Sequence, residues 1–259
     1  MIKLRKFLLA GLLASIGIAL ASGAAVAAGP GISADASSAL AQMGKTLAAP
    51  AFSFQARTIR VYSDASDQSL HIEHVFKMTV RRPDRLLVDG VGDDGATKVM
   101  YDGKTLVLVM VTQKQYVSIP VPDTLQGMLQ VAVGHFGMDF PLADFIFDAA
   151  DKAFLTGITE GHEVDTATID GVLCQHFVFT QPPGIQLELW VEKNDQSLPR
   201  RLIVTYRSLP GQPIFVADMS DWNFSVHPAD ADFVYQPEEG VVRQDLAPQT
   251  AVAVPGAKP

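Results

Sequence analysis

The chain has 259 residues, of which 48% are hydrophobic and 19% are charged. This composition excludes disordered, collagen-like and repetitive chains and indicates a globular protein with a sizeable core. The formal net charge of −8 repels phosphate backbones and anionic membrane surfaces, so we expect no nucleic-acid partner. A single cysteine excludes an internal disulfide, which leaves packing to stabilise the fold.

Residues 1–27 have the pattern of a cleavable signal peptide. Three basic residues precede an apolar stretch over residues 7–20, and a small-residue cleavage motif ends at Ala27. The apolar stretch is shorter than the ~20 residues that a membrane span requires. We therefore expect export to the periplasm and no stable membrane insertion after cleavage, with a retained N-terminal anchor as the alternative. Cleavage moves the formal net charge from −8 to −11, because the leader carries three basic residues and no acidic ones.

Three segments have helical patterns. The first follows Ser33 or Asp35 as its N-cap and carries one apolar stripe at three- and four-residue spacing. The second is amphipathic and follows Asp123 or Thr124 as its cap. A third and shorter helix is predicted over residues 139–147, with a proline near its first turn.

The remaining segments have strand patterns. Residues 70–81 alternate so that one face carries Leu70, Ile72, His74, Phe76, Met78 and Val80. We expect a half-buried antiparallel strand there, with residues 52–62 as its partner. Asp102-Gly103 lies between β-rich arms and predicts a hairpin with a two-residue type I′ turn. Five further strands are predicted over residues 161–169, 172–180, 185–191, 200–208 and 214–224.

The element order predicts an α+β fold, because the strands form meanders and do not alternate with helices. We expect about eleven strands in a single large curved antiparallel sheet, an incomplete β-barrel, with helices covering its concave face. This domain is expected over residues 28–247. Residues 248–259 have no pattern and are predicted to form a disordered tail.

Cys174 and His176 raise the question of nucleophilic catalysis. A two-residue Asp170-Gly171 loop would place Asp165 opposite His176, so a Cys/His/Asp site is conceivable. However, residues i and i+2 of a strand lie ~6.5–7 Å apart, whereas a nucleophile and its base need ~2.6–3.2 Å. We therefore expect a buried structural Cys174, a cross-strand structural pair of Asp165 with His176, and no enzyme. A Cys/His hydrolase remains an alternative.

Other polar residues give no metal or carboxylate site. His71 and Glu73 are predicted to face away from His74, which leaves too few ligands for zinc. Glu188 and Glu192 would lie roughly 13 Å apart along one strand, too far for a glycosidase pair. We expect no cofactor and no metal.

Apolar surface is abundant, and it has two interpretations. It is either ordinary core or the wall of a pocket between the curved sheet and the helical cover, where methionines adapt to changing contents. The candidate cavity residues are Phe52, Phe54, Ile72, Phe76, Met78, Val80, Leu106, Leu108, Met110, Leu125, Met128, Leu129, Phe136 and Phe145.

Several motifs resemble known families. The segments "FSFQA", "RRPDRL", "YDGKTLVLV" and "FVYQPEEGV" are similar to the periplasmic lipoprotein-carrier superfamily of Gram-negative bacteria, which includes LolA, LolB and the RseB-type sensor. Its fold is an incomplete antiparallel barrel lidded by helices over an apolar cavity for acyl chains. The series "RRPDRL … YDGKT … FPLADFIF … DGVLCQHFVF … LPRRLIVTY … DWNF" resembles more closely a family of predicted periplasmic proteins thought to share that fold.

The resemblance implies a function for one residue. Arg82, directly before Pro83, occupies the position of the carrier's arginine that hydrogen-bonds to the helical lid and holds the empty cavity shut. The expected protein is thus a monomeric, LolA-like half-barrel that binds acyl chains of a lipid or lipoprotein and makes or breaks no bond. The alternative is a regulatory module of the cell envelope that binds a protein partner and has no ligand cavity.

Overall fold

The computed structural model describes residues 31–64, 66–138 and 140–245. The predicted signal peptide, residues 1–27, and the predicted tail, residues 248–259, lie outside the described residues. No helix in the described ranges is long and apolar enough to cross a membrane.

Within these ranges, twelve strands form one open sheet. The strands are β1 Ala51–Ser63, β2 Ser69–Arg81, β3 Arg85–Gly92, β4 Gly95–Tyr101, β5 Thr105–Met110, β6 Gln115–Pro120, β7 Glu160–Ile169, β8 Val172–Gln181, β9 Ile185–Glu192, β10 Pro199–Tyr206, β11 Ile214–Asn223 and β12 Val242–Gln244. Their order is β12-β6-β5-β4-β3-β2-β1-β11-β10-β9-β8-β7. Neighbours are antiparallel except β12, which runs parallel to β6. The predicted fold class is confirmed, with β12 as the additional strand.

Four α-helices lie in the described residues, besides a 3₁₀-helix over Asp230–Phe233. They are α1 Ala34–Leu47, α2 Leu125–Gly134, α3 Ala143–Ile146 and α4 Ala150–Leu155. The hydroxyls of Ser33 and Thr124 cap α1 and α2, as two of the predicted caps. The third predicted helix is reduced to α3, and its expected start, Asp139, lies outside the described residues. The sequence analysis missed α4, which has six residues and no side-chain cap, so it shows neither periodicity nor a start signal.

The alternation predicted for β2 is confirmed by its pairing with β1. Val80, Met78 and Phe76 pair with Phe52, Phe54 and Ala56 in successive alternate positions, and all six belong to or pack against one apolar cluster. That cluster also contains the inward side chains of all four helices. We call the sheet face that packs against the helices the covered face and the opposite one the outer face.

The two Asp-Gly loops differ. Asp170 and Gly171 both have positive φ, 47° and 81°, as a two-residue type I′ turn requires. The same prediction for Asp102-Gly103 is wrong, because β4 ends at Tyr101 and β5 begins at Thr105, which leaves a three-residue loop in which only Gly103 has positive φ. The Asp102 carboxylate accepts hydrogen bonds from the backbone N–H groups of Lys104 and Thr105 at 2.9 and 2.8 Å, which stabilises the longer loop.

Candidate functional site

Arg82 follows β2 directly and connects the sheet to the helical cover. Nη1 donates to the carbonyl oxygen of Ile146 and to Asp148 Oδ1, each at 2.7 Å. Nη2 donates to the carbonyl oxygens of Leu47 and Phe147 at 2.8 and 2.9 Å. One guanidinium thus bonds to the C-terminal end of α1 and to the residues that end α3. Both ends present carbonyl groups without helical partners, and a cation stabilises them.

The Arg82 side chain is largely enclosed, with 9% of its surface exposed. Its guanidinium lies 5.7 Å from the centroid of the Phe52 ring. Burial lowers the pKa of Arg82, and the nearby Asp148 carboxylate acts in the opposite direction. Arginine stays charged over the physiological range, and the hydrogen bonds of its two Nη atoms partly offset the desolvation of this cation.

The predicted cavity residues share the covered face. Nine belong to the main core cluster, each 6% exposed or less: Phe52, Phe54, Met78, Val80, Leu106, Leu125, Met128, Leu129 and Phe145. Four are partly buried and pack against that cluster: Phe76, Leu108, Met110 and Phe136. Ile72 is partly exposed, nearer the β1–β2 turn. Apart from Ile72, the candidates therefore pack within or against one apolar core.

Two aromatic residues of this face were missed from the sequence. The Trp222 ring stacks on Phe54 with 4.3 Å between centroids, and Phe224 lies 5.8 Å from Phe52. The register of β1 with β11 shifts between Ser53 and Gln55, which marks a bulge that redirects side chains of β11. The "DWNF" motif contains both rings, but strand alternation alone does not reveal the bulge.

Two pockets on the described part of the chain lie elsewhere. One, of about 480 Å³, is a polar groove between α1 and the β9–β10 turn, with Gln42, Lys45 and Asp195 in its walls. The other, of about 230 Å³, lies on the outer face between β5, β6 and the segment that carries Phe233 and Tyr235. Neither is lined by a predicted cavity residue.

Cys174 and His176 lie on the outer face. The ladder pairs Asp165 with His176, as predicted. The imidazole, however, bonds to Glu188, with 3.1 Å between Nε2 and Oε2, and stacks on Trp190 at 3.9 Å between ring centroids. Burial raises the pKa of the Cys174 thiol, which disfavours the thiolate that a nucleophile needs. The side chains around Cys174 thus serve packing.

The histidines of β2 diverge as predicted. His74 pairs with Thr58 on the covered side of the ladder, and its Nε2 lies 2.6 Å from Asp94 Oδ1. His71 occupies the opposite parity and is exposed. Across the described ranges, no group of three or more His, Cys, Asp or Glu side chains is arranged to hold a metal ion.

The profile of the family "Predicted periplasmic protein (DUF2092)" matches residues 36–246. The chain belongs to this family. The predicted family resemblance and the periplasmic location are thereby confirmed. No curated protein matches the sequence significantly.

The solved structures that resemble this one share little sequence identity with it. An uncharacterized conserved protein from Thermus thermophilus has 11% identity and a TM-score of 0.48 over 81% of this chain and 99% of that chain. The lipoprotein LppX from Mycobacterium tuberculosis has 16% identity and a TM-score of 0.45, over 75% and 99%. A LolA superfamily protein from Nitrosomonas europaea has 15% identity and a TM-score of 0.38, over 77% and 97%.

Proposed function

We propose that this DUF2092 protein is a non-enzymatic periplasmic carrier or sensor that binds the acyl chain of a lipid or lipoprotein between its sheet and its helical cover. The observation that carries the proposal is the position of Arg82, whose four hydrogen bonds connect the rim of an apolar sheet face to the ends of two covering helices. Polar connections of this kind at the edge of an apolar interface can open without unfolding the sheet.

The driving force for binding is the burial of methylene groups. Each buried methylene contributes about 0.8 kcal/mol, so a chain with half its length enclosed gains several kcal/mol. Because the closed core is packed, the chain enters only when the cover moves outward. Methionine side chains on both layers, Met78 on β2 and Met128 on α2, are buried here, and their flexibility lets them repack around a ligand.

Arg82 sets the balance between closed and open forms. In the closed form its cation satisfies three helix-end carbonyls, which stabilises the protein without ligand. A ligand that occupies the interface favours the open form and shifts the population toward it. A substitution that removes the hydrogen bonds of Arg82 therefore changes how long the protein retains an acyl chain.

The test is native mass spectrometry of protein freshly isolated from the periplasm. We expect wild type to carry lipid or to take up added dodecanoate, and Arg82→Leu to retain it differently. Arg81→Leu is the matched control, because Arg81 is adjacent but bonds to Pro228 and Asp230 on the outer face. If all three proteins retain lipid equally, Arg82 has no role in ligand retention. If wild type takes up no lipid, the proposed function is wrong.

A second candidate function is a protein-interaction or sensor module of the cell envelope. The observation that favours it is the packing of the predicted cavity residues, since Phe52 and Met128 are fully buried against other core side chains. Protein that is isolated without lipid and remains indifferent to fatty-acid probes would favour this candidate over the carrier.

A further inference from the structure

Thr58 is a polar residue at a position that the fold would fill with an apolar side chain. It lies on β1 at the same parity as Phe52, Phe54 and Ala56 and pairs with His74 on β2 and Ala217 on β11. Only 2% of its surface is exposed. Its Oγ1 has no hydrogen-bond partner among the described residues.

A buried hydroxyl without a partner destabilises the folded state, because the group loses its hydrogen bonds to water and gains none in return. Valine has nearly the same shape and the same preference for strands, so threonine is not required for packing or for β1 itself. The hydroxyl therefore has a use that the closed fold alone does not reveal.

The surroundings of Thr58 indicate what that use is. Toward Arg82 the covered face of β1 is apolar for three successive inward positions, which span about 20 Å from Thr58 to Phe52 at ~3.3 Å per residue. On the other side lies Arg60, whose guanidinium is 5.1 Å from the Phe215 ring centroid. His74, bonded to Asp94, lies beside Thr58 on the neighbouring strand. Thr58 is thus the inward position of β1 at which apolar side chains give way to a charged one, while the neighbouring Phe215 remains in the apolar core.

We infer that the Thr58 hydroxyl donates a hydrogen bond to the acyl carbonyl or carboxylate of the ligand, whose hydrocarbon chain extends along β1 toward Arg82. This inference rests on the proposed function and adds to it the orientation of the ligand and the class of its polar group. The apolar stretch of about 20 Å suits an extended long acyl chain. The ligand reaches the buried hydroxyl only after the cover has moved outward.

The experiment compares Thr58→Val, which removes the hydroxyl and keeps the shape, with Thr58→Ser, which keeps the hydroxyl. Each protein is melted without ligand and is then equilibrated by dialysis with dodecanoate, methyl dodecanoate or dodecane. We expect Thr58→Val to melt ~2–4 °C higher than wild type, because the unsatisfied group is gone. The same variant binds dodecanoate about tenfold more weakly than wild type, which corresponds to one lost hydrogen bond. Its binding of dodecane is unchanged.

The two oxygen-containing probes distinguish the sources of the polar group. Weaker binding of both by Thr58→Val identifies an acyl carbonyl, whereas weaker binding of dodecanoate alone identifies a free carboxylate. Thr58→Ser binds all three probes as wild type does. Equal binding of dodecanoate by Thr58→Val and wild type, or no rise in the melting temperature, would overturn the inference while leaving the carrier function intact. Wild type that binds none of the probes would overturn both.

Discussion

The helical cover has two parts that are attached to the sheet in different ways. Helix α1 is hydrogen-bonded to the sheet and its loops at several points along its length. The N–H of Ser33 donates to the Gly161 carbonyl at 2.8 Å. The side chains of Gln42 and Thr46 donate to carbonyls of the β9–β10 turn, both at 2.6 Å. Arg82 adds a bond at its last residue, Leu47. Loss of any single contact leaves α1 attached elsewhere.

Helices α2 and α3 are each hydrogen-bonded at one end, and α3 also packs against α4 and α1. The N–H of Leu125 donates to the Pro83 carbonyl at 2.9 Å where α2 begins, and Arg82 bonds to the Ile146 carbonyl where α3 ends. Between these points, buried apolar side chains such as Met128 and Phe145 pack on the core. The comparison teaches that loss of the Arg82 bonds frees the C-terminal end of α3 from the sheet, while α1 keeps three other contacts.

The largest difference between α1 and α2 is expected in the free energy of unfolding that is lost when one buried methionine of each helix is replaced by alanine. Met43 on α1 and Met128 on α2 are both 0% exposed. Met43→Ala should lower the free energy of unfolding by about 4 kcal/mol, because the fastened helix cannot collapse into the cavity. Met128→Ala should cost about 2 kcal/mol, because α2 can shift inward. Urea denaturation measures both values, and equal losses would show that the two parts are equally rigid.

Arg82→Leu should lower the free energy of unfolding by about 3 kcal/mol, because buried helix-end carbonyls lose their donor. Hydrogen exchange should accelerate in α3 more than in α1, because α1 keeps its other hydrogen bonds. Arg81→Leu, which removes a partly exposed ion pair with Asp230, should cost about 1 kcal/mol or less and leave exchange in the cover unchanged. Equal acceleration in α1 and α3 would contradict this difference in attachment.

The α3 helix also contains a residue, Asp144, whose ionisation makes the stability of the protein depend on pH. Burial raises the pKa of Asp144 to about 6 from 3.8. The folded protein therefore binds the proton more tightly than the unfolded chain, and the penalty for ionising Asp144 grows as the pH rises from about 4 to about 6. Asp144→Asn should stabilise the protein by about 2 kcal/mol at pH 7 and by almost nothing at pH 4. A gain that is the same at both pH values would show that Asp144 ionises freely.

Much of the sheet was predictable because strand alternation and turn chemistry are local signals. The faces of β2, its pairing with β1 and the Asp170-Gly171 register all follow from the residues themselves. The loop at Asp102 was not predictable from its Asp-Gly pair, because side-chain bonds to the backbone selected a longer form.

The candidate site was only partly predictable, because its decisive features join distant segments. The family resemblance singled out Arg82, but its bonds to Ile146 and Leu47 depend on how the helices return to the sheet. The bulge that brings Trp222 onto Phe54 likewise needs the strand register. Whether apolar residues line a cavity or fill a core cannot be deduced from residue type, because both use the same side chains.

The most direct test of an acyl chain between sheet and cover is NMR on protein with ¹³C-labelled methionine methyl groups. Met78 of β2 and Met128 of α2 belong to the covered core, whereas Met100 pairs with Leu87 and Val107 on the outer face. With saturating dodecanoate we expect nuclear Overhauser effects from the chain to Met78 and Met128 and none to Met100. Contacts confined to Met100, or none to either covered methionine, would contradict the proposed binding site.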